Sequence, residues 1–258
     1  MKKTVYSILS ASMLVALAGC SKAASSAAPA SSAASSAEAA SSEVTPADVE
    51  LTSYADFVAA PADTPVTVET YVQAKQGWWE DAATIYTQNE EGAYFIYSMP
   101  ISEEDYNKLT EGTKIRVSGY KAEWSGELEI VDAKYEILEG NYIAPAADIT
   151  DKLGTDEIIN FMNQKVAFKD MEVVADDNGN AFTYNWDGSG EDGDDLYFYV
   201  ANANGDKFQF TVESYLTGKG TDVYEAVKNL KAGDKIDCEG FLYWYEGINP
   251  HITSVTVK

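Results

Sequence analysis

The chain has 258 residues, 45% hydrophobic and 12% aromatic, enough to bury more than one small core. Its 42 acidic residues outnumber 18 basic ones, for a formal charge of −24. That balance argues against general affinity for phosphate backbones or anionic headgroups and favours solubility.

Lys2 and Lys3 precede an apolar stretch from Val5 to Leu17, too short for a committed membrane span. It ends in Leu17-Ala18-Gly19-Cys20, which resembles the lipobox of bacterial lipoproteins. The resemblance implies a signal peptide over 1–19 and a lipidated (palmitate-type) Cys20 as the mature N-terminus. It also implies a cell-surface protein held on the extracytoplasmic face of the membrane. Residues 20–47 are mostly Ser and Ala and have little to bury, so they read as a disordered, flexible tether. A coil of that length spans roughly 25–30 Å on average.

A first folded unit is expected over 48–142. Tyr54 and Phe57 mark a short helical prelude. Val66, Val68 and Val72 share one face of a first strand. "AATIYTQN" is a second strand, Glu90-Glu91-Gly92 a turn and "AYFIYSM" a third strand. Ser102 caps a helix opened by Glu103, Glu104 and Asp105, acids that suit its N-terminal dipole. Strands over 113–124 and 127–138 close the unit around Ser125-Gly126.

A second unit is expected over 143–258, with a prelude at Ile158, Phe161 and Met162. Its strands fall near 165–175, 195–202, 206–214, 234–245 and 251–257, with a turn at Asn204-Gly205. Thr221 caps a helix whose Val223, Ala226, Val227 and Leu230 form a stripe. "LTEGTKIRVSGYKAEWSG" (109–126) matches "LKAGDKIDCEGFLYWYEG" (230–247) without a gap, at an offset of 121. Leu109, Gly112, Lys114, Ile115, Gly119 and Gly126 are thus repeated, and Cys238 stands where Val117 does, as a small buried hydrophobe. No disulfide follows from two cysteines of which one is the lipid site.

Three strands, a helix and two strands resemble the OB-fold, a five-stranded Greek-key barrel. The fold class expected is therefore all-β with short helices: two tandem OB-fold-like barrels. The whole resembles tandem-OB bacterial surface lipoproteins. OB-folds bind on the face of strands two and three, between the loops joining strands one–two and four–five. In "KQGWWED" neighbouring side chains of an extended chain point oppositely, so Trp78 and Trp79 need different partners. Trp124, Trp186, Tyr243, Trp244 and Tyr245 lie in or beside equivalent loops, and Tyr197 and Tyr199 alternate with buried Leu196, Phe198 and Val200. These nine rings are the candidate ligand contacts; rings also plug barrel ends and domain seams.

The neighbours of these rings are carboxylates, including Glu80, Asp81, Glu123, Glu127, Glu191 and Glu246. Single-stranded nucleic acid, the OB-fold analogy, would need cations there. Rings with carboxylates suit a carbohydrate or cell-wall glycan, or a cationic group. A protein partner, such as an envelope or transporter complex using the chain as scaffold, is the alternative. In "DGSGEDGDD" the acids Asp187, Glu191, Asp192, Asp194 and Asp195 raise the question of calcium, although the EF-hand spacing fails. A single histidine, His251, and no nucleophile or phosphate-loop motif argue for binding without catalysis.

Overall fold

The computed structural model describes residues 50–258. The signal, Cys20 and tether lie outside the described residues. After helix α1 (Tyr54–Ala59) come strands β1 (Pro65–Lys75), β2 (Ala82–Gln88) and β3 (Ala93–Pro100), then helix α2 (Glu103–Lys108) and strands β4 (Thr113–Trp124) and β5 (Glu127–Asn141). A two-residue strand β6 (Ala147–Asp148) follows, then 3-10 turns at Thr150–Lys152 and Asp156–Phe161, β7 (Lys165–Val174), β8 (Phe182–Tyr184), β9 (Leu196–Ala201) and β10 (Lys207–Val212). Helices α3 (Ser214–Thr217) and α4 (Asp222–Lys228) lead into β11 (Lys235–Phe241) and β12 (His251–Val257).

The first five strands close in the order β1-β2-β3-β5-β4, with β4 returning to β1. The second set closes as β7-β9-β10-β12-β11, because β7 pairs with both β9 and β11. In each barrel the third strand runs parallel to the fifth, Phe95 opposite Glu129 and Thr211 opposite His251. Helix α2 lies between the third and fourth strands of the first barrel, and α3 and α4 between those of the second. Both are OB-folds, as the order of elements predicts.

Side chains alternate into each barrel. Val68, Ile85, Ile96, Ile115, Val117 and Ile130 meet in the first, with Phe57 of α1 and Leu109. Phe168, Phe198, Phe210, Ile236, Cys238 and Ile252 meet in the second, and burial pushes the Cys238 thiol up to about 12. Ser102 and Thr221 cap α2 and α4 by accepting the N–H of Asp105 and Tyr224. The buried stripe of α4 is Val223, Tyr224 and Val227, so Tyr224 joins it and Ala226 stays at its edge. The turn after β9 uses the Asn202 carboxamide, which accepts the N–H groups of Asn204 and Asp206; only Gly205 of the predicted pair takes positive φ.

The repeated glycines have structural causes. Gly112 and Gly233 hold φ of 87° and 95° at the entry to the fourth strand. Each donates its N–H to the first strand of its barrel, to Val72 O at 2.7 Å and Val173 O at 2.8 Å. Gly119 and Gly240 sit where the fifth strand crosses closely. A Cβ at Gly119 would stand 2.6 Å from Val131 O, and one at Gly240 would overlap the His251 carbonyl. Gly240→Ala should therefore lower stability by roughly 1–3 kcal/mol, since backbone and not a flexible side chain must move. Urea melts check this; an unchanged midpoint would mean that β12 yields freely.

Candidate functional site

The face of β2 and β3 in the first barrel is not open as expected. Every residue of β2 after Ala82 is buried, on both faces of the strand. Inward go Ala83 and Ile85; outward go Tyr86 and, from β3, Phe95. Tyr86 stacks on Phe241 of β11 at 4.5 Å, and Phe95 packs at 5.3 Å from Tyr243. Burying Tyr86, Phe95 and Phe241 contributes about 1.5–3 kcal/mol each. Tyr86 OH lies 2.7 Å from His251 Nδ1, and Tyr243 stacks on the imidazole at 4.5 Å. Burial holds the His251 pKa down to about 3, so the ring is neutral, and its Nδ1 shares one hydrogen bond with the Tyr86 phenol. The second barrel is thus the occupant of much of the expected ligand face.

Carboxyl groups line the same seam. Glu127, at the start of β5, is fully buried. It accepts the Trp244 N–H at 2.8 Å and the side-chain amide of Asn163, both from the second barrel. Glu129 is buried beside Phe95, and Glu213 lies at the other end of the seam. Burial pushes Glu127 up to about 8 and Glu129 and Glu213 to about 7, with Asp195 adding to the rise at Glu213. Among the described residues none of the three takes part in an ion pair.

One part of the face remains open. Next to the loop joining β1 and β2 lies a groove of about 430 Å³. Thr84 and Ser98 belong to its strand side; Gln76, Trp79, Tyr97 and Tyr215 complete it. Trp79 is 73% exposed, Tyr97 52% and Tyr215, from α3 of the second barrel, 73%. The loop is fixed from both ends. Trp79 and Ala82 exchange two 3.0 Å backbone bonds around Glu80 and Asp81, which both take positive φ, the twist a two-residue hairpin requires. Gly77 N donates to Tyr215 O at 2.8 Å, and Gln76 Nε2 to Glu213 Oε2 at 3.1 Å. Trp78 turns away, packs on the core of the first barrel and donates its Nε1–H to Ile101 O at 2.9 Å.

The nine predicted rings do not converge. Trp79 alone of them lines the groove, with Trp78 behind it. Tyr243 and Trp244 are taken up by the seam, Trp244 against Gly126 at the tip of the β4–β5 hairpin. Trp124 and Tyr245 are exposed on the two repeat-equivalent tips, which meet where Glu246 N donates to Ser125 O at 2.8 Å. Trp186 is exposed on the loop between β8 and β9. Tyr197 and Tyr199 lie half-buried on β9; Tyr199 accepts from Gln209 and carries Lys207 over its ring at 4.0 Å. Tyr97 and Tyr215 were not anticipated. Alternation places Tyr97 outward with Phe95, and a bulge at Ser98, with φ of 46°, keeps both Tyr97 and Ser98 open. Tyr215 sits on a four-residue helix that starts where the strand expected over 206–214 ends.

The aspartates named as possible calcium ligands are engaged within the protein. Asp192 is held by Lys219 at 2.7 Å and Lys228 at 2.9 Å, which bring its pKa down to about 2. Asp194 accepts the Glu191 N–H, Asp195 that of Ser214 and Asp187 that of Ser189. Among the described residues no group of three His, Cys, Asp or Glu side chains is placed to hold a metal ion.

No protein-family model and no curated protein matches the sequence. Solved structures similar to the chain include a murine DNA-binding protein bound to double-stranded DNA, at 12% identity over 74% of this chain and 94% of that one, TM-score 0.36. The p204 HINb domain is 13% identical over 76% and 98%, TM-score 0.35. A replication protein A heterotrimer bound to single-stranded DNA is 10% identical over 77% and 50%, TM-score 0.34. The fold rests on strand order and helix position, and these likenesses carry no ligand across.

Proposed function

We propose that the chain is a surface-anchored lipoprotein that binds a carbohydrate, without catalysis, in the groove between Trp79, Tyr97 and Tyr215. The observation that carries this reading is the set of three exposed rings around one open groove whose lining side chains hold no charge. Ring faces take the C–H faces of a sugar, and amides and hydroxyls take its O–H groups. A nucleic acid, the ligand named for several of the similar solved structures, would need Lys or Arg beside those rings; none is among the lining residues, and Glu80 and Asp81 directly follow Trp79. The absence of catalysis is supported by a neutral, fully enclosed His251 and a buried Cys238, neither of which can meet a bound substrate. A glycan array probed with the purified chain and with Trp79→Ala tests the reading. Specific glycan signals lost in the variant are expected; signals equal in both would remove the groove as the site.

The anchor rests on the lipobox. Cys20→Ser should abolish labelling by a fatty-acid analogue and release the protein from the membrane fraction or leave the signal uncleaved. Labelling equal to the parent would overturn it.

A further inference from the structure

Building on that reading, we propose that the groove is a clamp between the two barrels for an uncharged glycan, with Trp79 and Tyr97 on one jaw and Tyr215 on the other. The jaws come from different barrels, since Trp79 and Tyr97 precede and follow β2 while Tyr215 belongs to α3. Two contacts hold them in register, Gly77 N to Tyr215 O and the Gln76 amide to the buried Glu213 carboxyl. The same short segment thus supplies Gln76 and Gly77 to the second barrel and Trp79 to the ligand. Glu213 accepts the Tyr215 N–H with its other oxygen, so one side chain ties both jaws.

The polar heads of the rings point to what the clamp takes. Trp79 Nε1, Tyr97 OH and Tyr215 OH make no hydrogen bond to other described residues, whereas Trp78 Nε1, Tyr86 OH and Tyr106 OH all do. Three unengaged heads beside three ring faces fit a ligand that offers hydroxyls and C–H faces together. The charge of that ligand follows from the surroundings. An anionic sugar would find no lining cation and would approach Glu80 and Asp81, in a chain of net charge −24. No carboxylate lines the groove to pair with an amine-bearing sugar, whose amine would reach only Glu80 and Asp81 on the adjoining turn. A groove of this volume lies near the small end of ligand sites and holds roughly one or two rings of a longer chain.

The test titrates the purified full chain, by calorimetry, with uncharged trimers of glucose, mannose and N-acetylglucosamine and with trimers of the corresponding uronic acids. At least one uncharged trimer should bind about tenfold or more tightly than any uronate, with an affinity indifferent to salt. Trp79→Ala and Tyr215→Ala should each weaken it by about tenfold, the scale of one stacking contact, with melting temperatures unchanged because both rings are exposed. A uronate that binds as tightly as its uncharged counterpart would overturn the charge selection. Parent-like affinity in Tyr215→Ala, with loss in Trp79→Ala, would reduce the site to the first barrel and end the clamp while leaving sugar binding intact. If no trimer of either kind binds the parent chain, the glycan reading falls and takes the clamp with it.

Discussion

Glu127→Gln should be the more stable protein at pH 9 and no more stable than the parent at pH 5. Glu127 is a carboxyl in the seam, with two donors from the second barrel and no ion-pair partner among the described residues. Burial raises its pKa from an ordinary 4.5 to about 8, against the opposing pull of Asn163, Trp244 and Leu128. A group that binds its proton more tightly when folded makes stability fall as pH rises from the unfolded value to the folded one. The window is therefore about pH 4.5 to 8, and above it the folded protein holds a buried carboxylate. An amide is isosteric and never ionises. At pH 9 the variant should gain on the order of 3–4 kcal/mol over the parent. At pH 5 both side chains are neutral, and the parent should be equal or somewhat more stable, since its two carboxyl oxygens accept from Asn163 and Trp244 while the amide offers one acceptor.

Urea melts of both proteins at pH 5, 7 and 9 measure this. The comparison cancels the general self-repulsion of so acidic a chain, which also weakens the fold as pH rises. Glu129 and Glu213, both raised to about 7, remain in the variant, so its stability should still slope downwards, less steeply. A difference between the two proteins that is the same at pH 5 and pH 9 would mean that Glu127 keeps its charge across the range, through a partner or water entry. The pH response of the seam would then belong to Glu129 and Glu213.

What the sequence discloses and what it hides divide along a physical line. Local constraints are legible. The fourth strand, read at 113–124, occupies Thr113–Trp124, because an entry turn of positive φ and a hairpin tip bound it. The repeat discloses the second barrel for the same reason: the shared glycines Gly112/Gly233 and Gly119/Gly240 answer a backbone contact made in both copies. Docking between barrels leaves no such mark. The outward residues of β2, Thr84, Tyr86 and Gln88, belong to the face expected to meet a ligand, yet all are buried. The partners of Tyr86, Phe241 and His251, are more than 150 residues away in the chain, and Gln88 accepts the N–H of Lys165, 77 residues away. The same holds for the acidic loop. Asp192 looks like a metal ligand until Lys219 and Lys228, brought in by α4 and the turn before it, neutralise it. The loop aromatics were found by type; the groove needed Tyr97 and Tyr215, one freed by a bulge and one supplied by a helix of four residues.

Trp78→Ala and Trp79→Ala should part company, although the residues are adjacent and chemically identical. Trp78 is half-buried on the core of the first barrel and its indole N–H is bonded to Ile101 O. Truncation leaves a cavity and an unpaired carbonyl, at a cost of roughly 2–4 kcal/mol, below the range for a fully enclosed ring. Trp79 touches the groove and is exposed over 73% of its surface, so its loss should move stability by less than about 0.5 kcal/mol. Acrylamide should quench Trp79 readily and Trp78 poorly, which single-tryptophan variants resolve. The hairpin turn at Glu80 and Asp81 enforces this division: two successive residues of positive φ aim Trp79 outward while Ile101 retains Trp78. Replacing Glu80-Asp81 by Asn-Gly, which prefers the same conformation, should preserve the asymmetry and raise stability slightly. Equal destabilisation by the two alanine variants would show that Trp79 also packs on the barrel in solution. The groove would then lose the ring on which its proposed function depends.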